Sequence, residues 1–251
     1  MSTPTTDAPG RTSQLERTQA MTLAAAEYAR YLDLLRSLPA EDWTKQTDCA
    51  LWDVRAMAAH NLGMAKMVSS PEENQRQVGA ALAKGGVFID ALTGLQVDEH
   101  ADLTADELIE VYAEITPQAS LGRQHAPEEL RQSLMPLPQH VNGADEQWAV
   151  GYLLDVILTR DTWMHRVDTS RATGRDMVLT QEHDGVLIAD VVAEWADRHG
   201  EPYTLHLDGP AGGSWARGEG GPELRLDAVE FCRILSGRAT GDGLLTTEVP
   251  F

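Results

Sequence analysis

The chain has 251 residues, of which 42% are hydrophobic and 24% charged, and its formal net charge is −19 at pH 7. Such a composition is typical of a globular protein with a large core, and the acidic excess argues against nucleic-acid binding, which needs clustered Lys and Arg. The sequence contains no run of about eighteen apolar residues, so no membrane-spanning helix is predicted. Cys49 and Cys232 form no CxxC motif and are interpreted as buried thiols in a reducing compartment.

The N-terminal segment and the first helices are predicted from polarity and periodicity. Residues 1–11 are polar and rich in Pro and Thr, which predicts a disordered tail, not a signal peptide, and we expect a cytoplasmic protein. Residues 12–37 and 52–68 each place apolar side chains at helical spacing, so each is predicted to be a helix. A weaker helix is predicted over residues 74–93, where three glycines reduce the signal.

Two further helices complete the predicted bundle. Thr104 and Glu107 form a capping-box pattern in front of an apolar periodicity, so a helix should begin there. Pro117 is expected to kink or end that helix. Residues 146–167 carry a long apolar pattern that predicts another helix. Four long helices joined by short to medium loops predict a helical bundle over residues 12–178.

The last part of the chain has a different pattern. Residues 186–198 predict a helix, and Asp227 is a good N-cap for a second one through Leu235. Between them are three short segments of strand-like alternation, at residues 203–207, 213–217 and 223–226. The sequence therefore predicts a small α+β domain over residues 179–251, and an α+β fold overall.

One group of polar residues occupies positions where helical periodicity predicts apolar ones. Asp161 and His165 are four residues apart, so on a helix they lie about 40° apart around the axis and about 6 Å apart along it. His60 interrupts the apolar face of its own predicted helix in the same way. Buried imidazoles and carboxylates are costly unless paired, and two nitrogens with one oxygen suit Zn²⁺ with a fourth position open.

This pattern predicts a divalent-metal site, and alternatives stay open. Another divalent metal could take the place of Zn²⁺. His60 alone could be a core histidine bonded to the backbone, and Asp161 with His165 could be a helix-surface ion pair.

Two segments resemble the signatures of a known family. The first is Leu51-Trp-Asp-Val-Arg-Ala-Met-Ala-Ala-His60-Asn-Leu-Gly63, and the second is Asp161-Thr-Trp-Met-His165-Arg-Val-Asp168. Both resemble the DinB/mycothiol-dependent maleylpyruvate isomerase family. Residues 231–251 are similar to the C-terminal domain that many actinobacterial members carry, so the resemblance covers nearly the whole chain.

The resemblance implies a DinB-like four-helix bundle followed by a small α+β domain like sterol carrier proteins. The family's metal ligands correspond to His60, Asp161 and His165, although the founding isomerases have Glu where this chain has Asp161. The shorter acid should bring the metal closer to its helix. The implied cofactor is mycothiol, whose metal-bound thiolate would attack an electrophilic small molecule, in an isomerase or an S-transferase. Arg238 corresponds loosely to an arginine near the metal cleft, which would suit an anionic substrate or thiol cofactor.

Several alternatives remain at this stage. The protein could be a thiol-independent metal hydrolase of the same fold, or a non-catalytic binding or regulatory member. Nucleic-acid and membrane partners are not expected, and the chain could be a monomer or a homodimer. Asp168 is either a hydrogen-bond acceptor for a metal ligand or a solvated acid at a helix end, and Trp163 is expected to pack in the core. His100 is expected in a solvated loop, and no partner at ligand spacing is found for the other histidines, His125, His140, His183, His199 and His206.

Overall fold

The computed structural model describes residues 10–251, and helices dominate it as far as residue 173. These are α1 (Arg17–Arg36), α2 (Val54–Ser69), α3 (Pro71–Lys84), α4 (Phe88–Glu99), α5 (Ala105–His125), α6 (Glu128–Gln132), α7 (Val150–Tyr152) and α8 (Leu158–Thr173). The four longest, α1, α2, α5 and α8, pack against one another. Their apolar faces form a core that includes Tyr31, Leu62 and Tyr112. The predicted bundle is therefore confirmed as the architecture of this part of the chain.

Capping residues explain where α2 and α3 begin. The Asp53 side chain accepts a hydrogen bond from the backbone N–H of Ala56, and Ser70 accepts one from that of Glu73. The single helix predicted over residues 74–93 is wrong. Two helices, α3 and α4, are separated by a turn at Gly85 and Gly86, whose φ angles of 73° and 82° end a helix without steric cost.

Helix α5 begins as predicted and continues past Pro117. Thr104 and Glu107 form the reciprocal capping box. Pro117 lies inside the helix and does not end it, because α5 continues to His125. Buried side chains on both sides of the proline, Tyr112 and Arg123, anchor the helix in the core, and this packing compensates for the lost hydrogen bond.

The helix that carries Asp161 is interrupted by a π-helical turn. Residues 146–167 were predicted to form one helix, but α7 is followed by the π-helical turn Leu153–Ile157 and then by α8. Buried Arg123 donates hydrogen bonds to the carbonyl oxygen of Leu154 from Nε at 2.8 Å and from Nη2 at 2.6 Å. The guanidinium thus satisfies a backbone acceptor where the regular helical ladder is broken.

A hairpin precedes α7. It consists of β1 (Gln139–Val141) and β2 (Ala144–Glu146), which pair antiparallel. The turn residues Asn142 and Gly143 have φ angles of 53° and 74°, as a two-residue Asn-Gly hairpin turn requires. These two strands were not predicted from the sequence.

The C-terminal part contains a three-stranded sheet and two helices. After a π-helical turn come α9 (Val186–His199), β3 (Tyr203–Asp208), β4 (Gly213–Arg217), β5 (Glu223–Asp227) and α10 (Ala228–Leu235). The strand order is β4-β3-β5, with β3 antiparallel to β4 and parallel to β5. The predicted helices and strands are confirmed, including the N-cap at Asp227.

The core of the C-terminal part also contains α8. Trp163, Met164 and Val167 of α8 belong to the same buried cluster as Trp195 and Phe231. Trp163 is therefore a core residue, as expected. Because His165 lies among these residues on the same helix, α8 connects the predicted metal-ligand residues to both cores. The domain boundary at residues 178 and 179 stays a prediction.

The environment of His100 differs from the expectation. This residue directly follows α4 and is 3% exposed, with Nδ1 2.7 Å from the backbone oxygen of Gln96 and Nε2 2.8 Å from Nζ of Lys66. The prediction of a solvated loop histidine was wrong because α4 extends to Glu99 and brings His100 against α2. Within residues 10–251 no single helix is both long and apolar enough to cross a membrane, although α3 and α4 together, bent by 116°, pass that test of length and composition.

Candidate metal centre

The three residues proposed from the sequence lie together in the bundle. His60 comes from the middle of α2, and Asp161 and His165 come from consecutive turns of α8. The Nε2 atom of His60 is 3.5 Å from Oδ2 of Asp161, and Nε2 of His165 is 3.1 Å from Oδ1. One donor atom from each residue falls within 4.8 Å of the others, a spacing at which three ligand atoms can share one cation.

The second ring nitrogen of each histidine already has an acceptor. Nδ1 of His60 is 2.8 Å from Oε1 of Gln96, and Nδ1 of His165 is 3.2 Å from Oδ2 of Asp168. Metal-ligating histidines are held in this way, with the free nitrogen turned to the ion. The donor set, two imidazoles and one carboxylate, therefore fits a divalent cation such as Zn²⁺.

Charge attraction dominates the electrostatics between Asp161 and His165. Burial alone would raise the pKa of Asp161, but His165 and His60 outweigh it and hold that pKa well below its usual value. Burial would likewise lower the pKa of His165, but Asp161 outweighs it and raises the pKa to about 9. Without a metal, the ring thus acts as the cation that balances the carboxylate, and a bound metal would replace its proton.

Solvent reaches the cluster on the side of the carboxylate. The Asp161 side chain is 20% exposed, whereas the side chains of His60 and His165 are 3% and 5% exposed. Trp52, just before α2, covers the imidazoles, with its ring centroid 4.8 Å from that of His60 and 5.9 Å from that of His165. Asp161 is therefore the most solvent-exposed of the three side chains, and the indole lies against the two imidazoles.

Arg238 reaches this centre from the C-terminal part. Its Nε is 2.8 Å from Oδ1 of Asp168, and its Nη2 is 2.8 Å from Oδ2. Burial would raise the pKa of Asp168, but the hydrogen bonds from His165 and Arg238 hold it below the usual value. Asp168 is 0% exposed, so it is not a solvated acid. It joins a metal-ligand position to an arginine 70 residues away in sequence.

Cys49 also lies at this centre, whereas Cys232 does not. The Sγ atom of Cys49 is 3.8 Å from Nη2 of Arg238 and 3.9 Å from Oδ2 of Asp168. Burial raises the pKa of the Cys49 thiol to about 11, so it is a neutral thiol at pH 7. Cys49 is only partly buried, contrary to prediction, and Cys232 is fully buried, as expected.

A second cluster of potential ligands brings together Glu27, His183 and Asp184. Nε2 of His183 is 2.6 Å from Oε2 of Glu27, so this histidine has a partner that the sequence did not indicate. Arg166 donates to Glu27 and, at 2.6 Å, to Asp184. The guanidinium already supplies the positive charge here, so this cluster fits a structural ion network and not a metal site.

Comparisons with known proteins agree with this geometry. A sequence profile described as the mycothiol maleylpyruvate isomerase N-terminal domain matches residues 24–170, more than half of the chain. The chain belongs to this family. The matched region includes all three residues of the candidate centre, and Arg238 lies outside it.

Solved structures show the same fold over nearly the whole chain. A crystal structure of the mycothiol-dependent maleylpyruvate isomerase aligns with a TM-score of 0.56 at 18% identity, covering 96% of this chain and 98% of that one. A histidine-to-alanine mutant of the mycothiol-dependent maleylpyruvate isomerase aligns with a TM-score of 0.53 at 17% identity and the same coverage. No protein of curated function matches the sequence significantly. Family membership and the α+β fold are thus established.

Two neighbours of the candidate centre, Gln96 and Cys49, were not predicted from the sequence. Gln96 lies beyond the end of the helix predicted over residues 74–93, so nothing marked it as facing α2. Cys49 comes from the loop before Asp53 and reaches Asp168 only through tertiary packing. The Trp52 of the family signature was a usable signal, since an indole directly before the helix of His60 can cover that ring.

Proposed function

We propose that the protein is a divalent-metal-dependent, mycothiol-using transferase or isomerase that acts on an electrophilic small molecule. The observation that carries this proposal is the convergence of one ring nitrogen from each of His60 and His165 on the Asp161 carboxylate, while the opposite ring nitrogens are held by Gln96 and Asp168. Membership in the mycothiol maleylpyruvate isomerase N-terminal domain family supports the use of mycothiol as the thiol cofactor. We take Zn²⁺ as the first candidate because of the donor set.

In this proposal, His60, Asp161 and His165 would hold the cation. A bound Zn²⁺ would stabilise the thiolate form of a thiol at neutral pH. The bundle contributes rigidity, since both imidazoles are almost fully buried and fixed by hydrogen bonds. Trp52 shields the histidine side from water, and the open side near Asp161 would admit the thiol and its acceptor together.

Arg238 would orient the acceptor. Nε and Nη2 of Arg238 donate to Asp168, whereas Nη1 makes no hydrogen bond within residues 10–251. A guanidinium with a free edge beside the centre suits a carboxylate or another anionic group on the substrate. This arrangement favours an anionic electrophile, and Asp168 keeps the guanidinium aimed at the centre.

The test is a conjugation and isomerisation assay with separate omission of each component. Purified protein would be loaded with Zn²⁺ and incubated with mycothiol and either maleylpyruvate, an activated alkene or an epoxide, with products identified by mass spectrometry and NMR. We expect product only when metal and thiol are both present, and none with His60→Ala or His165→Ala.

The outcomes divide the alternatives. Turnover of an ester or amide that needs metal but no thiol would support a hydrolase in place of the proposed function. Absence of bound metal and of any turnover would support a non-catalytic member. Arg238→Ala should raise KM for anionic acceptors more than for neutral ones, and an equal effect on both would contradict the role given to Arg238.

A further inference from the structure

A chain of buried amides leads from His60 to the protein surface. Oε1 of Gln96 is 2.8 Å from Nδ1 of His60, and Nε2 of Gln96 is 2.9 Å from Oε1 of Gln77. Nε2 of Gln77 lies 3.0 Å from the backbone oxygen of Gly63 and 2.9 Å from Oε1 of Glu73. Gln96 and Gln77 are both 0% exposed, so water cannot substitute for these partners.

At the end of this hydrogen-bonded series that is farthest from His60, the direction of the hydrogen bonds is fixed. The Gly63 carbonyl can only accept hydrogen bonds, and so can the Glu73 carboxylate when ionised. A hydrogen bond from Arg76, opposed by burial, keeps the pKa of Glu73 at about 2. Arg76 is in turn bound to Glu99 of α4. The end of Gln77 that faces Gly63 and Glu73 must therefore be its NH₂ group.

This polarity determines every later bond. With its NH₂ group committed, Gln77 presents its oxygen to Gln96, so the facing atom of Gln96 must be the amide nitrogen. Gln96 then presents its oxygen to Nδ1 of His60. That nitrogen must carry a proton, and in the neutral ring Nε2 is left bare, facing Asp161.

We propose that Gln77 and Gln96 are positioning residues that transmit the acceptor polarity of Glu73 to His60, holding its proton on Nδ1 and its bare Nε2 toward the metal position. The inference rests on the proposed function, because it concerns the same metal centre. We call Glu73, Gln77 and Gln96 the relay. Its residues lie on α3 and α4, outside the four main helices, so these two helices would position the relay against α2.

Close helix packing supports the relay. A Cβ placed on Gly63 would lie 2.5 Å from Cγ of Gln96. Gly63 is one turn beyond His60 on α2, so the absence of a side chain there allows α4 to approach and Gln96 to reach the imidazole. The Gly63 carbonyl also accepts from Gln77, so this position serves the relay twice.

Two measurements test the relay. Long-range ¹H–¹⁵N NMR of metal-free protein, at a pH where His60 holds one proton, reports which ring nitrogen carries it. Competition with a chromophoric chelator gives the Zn²⁺ dissociation constant. We would compare wild type with Gln77→Leu, Gln96→Leu and Gln96→Glu, and use Gln118→Leu on the exposed face of α5 as the matched control.

In wild type we expect the proton on Nδ1 alone. Gln77→Leu leaves Gln96 in place and leaves its NH₂ group with the Met64 sulfur, 3.0 Å away, as its one remaining acceptor. A thioether is a weak acceptor, so the amide can turn and both forms of His60 should appear. Gln96→Leu should weaken Zn²⁺ binding about 10- to 100-fold. Gln96→Glu keeps an acceptor at Nδ1, and only a protonated carboxyl would also donate to Oε1 of Gln77, so its Zn²⁺ binding should be weakened less than that of Gln96→Leu. The Gln118→Leu control should stay within about threefold of wild type.

The relay is overturned if wild-type His60 carries its proton on Nε2, or if folded Gln77→Leu keeps the proton on Nδ1 alone. Should Gln96→Leu fail to fold, the proton position on His60 in wild type and in Gln77→Leu still decides the matter. If wild type binds no Zn²⁺ the proposed function fails, while the NMR measurement on metal-free protein still decides the relay.

Discussion

Replacement of Asp168 by alanine is the sharpest single perturbation of this centre. Its carboxylate is fully buried, accepts from His165 Nδ1 at 3.2 Å, and accepts from Nε and Nη2 of Arg238, each with a contact at 2.8 Å. Removing it leaves a guanidinium that is only 15% exposed without its partner. Breaking a buried pair in this way costs about 3–5 kcal/mol. Because the Arg238 side chain keeps some access to water, we expect about 3 kcal/mol for Asp168→Ala.

The loss would be measured by thermal and denaturant unfolding of metal-free protein. For a chain of this size, 3 kcal/mol corresponds to a fall in Tm of about 6–12 °C. The loss of the acceptor at His165 should also weaken Zn²⁺ binding about 10- to 100-fold. Asp33→Ala is the matched control, because the Asp33 side chain is 78% exposed and its loss should stay within about 0.5 kcal/mol. If Asp168→Ala is as stable as wild type and binds Zn²⁺ as tightly, the role given to Asp168 is refuted.

Three further predictions concern the same framework. Gly63→Ala should lower the free energy of unfolding by about 1–3 kcal/mol because its Cβ collides with Gln96, and an unchanged denaturation midpoint would contradict this. Arg123→Met should cost about 3 kcal/mol, since a carbonyl of the π-helical turn loses its donors; calorimetry would show the fall in Tm, and wild-type stability would argue against it. Asp161 outweighs burial and raises the pKa of His165 to about 9. Because His165 must lose its proton to bind, Zn²⁺ affinity should therefore rise about tenfold per pH unit between pH 7 and 9; a flat pH profile would contradict it.

Much of the fold follows from local signals in the sequence. Thr104 with Glu107 and Asp227 each cap a helix where predicted, because capping depends on residues two or three positions apart. The strands of the C-terminal sheet follow from alternation between glycine turns. Local signals could not choose between a kink and an end at Pro117, where the buried helix continues past the proline.

The candidate site likewise has a part that could be predicted from the sequence and a part that could not. The convergence of His60, Asp161 and His165 could be predicted because two of them share a helix face, all three interrupt apolar stripes, and both segments resemble family signatures. The network around them could not be predicted, since Gln96, Asp168 and Arg238 meet only when separate helices pack together. Spacing in sequence carries no information about such long-range contacts, although the family signature includes Asp168.

The central claim is that His60, Asp161 and His165 bind one divalent metal ion, and the metal content of purified protein tests it most directly. Protein reconstituted with Zn²⁺ and then desalted would be analysed by plasma mass spectrometry beside His60→Ala and the Gln118→Leu control. We predict about one ion per chain in wild type and in the control, and near none in His60→Ala. Equal metal content in wild type and His60→Ala, or no metal in wild type, would contradict the claim.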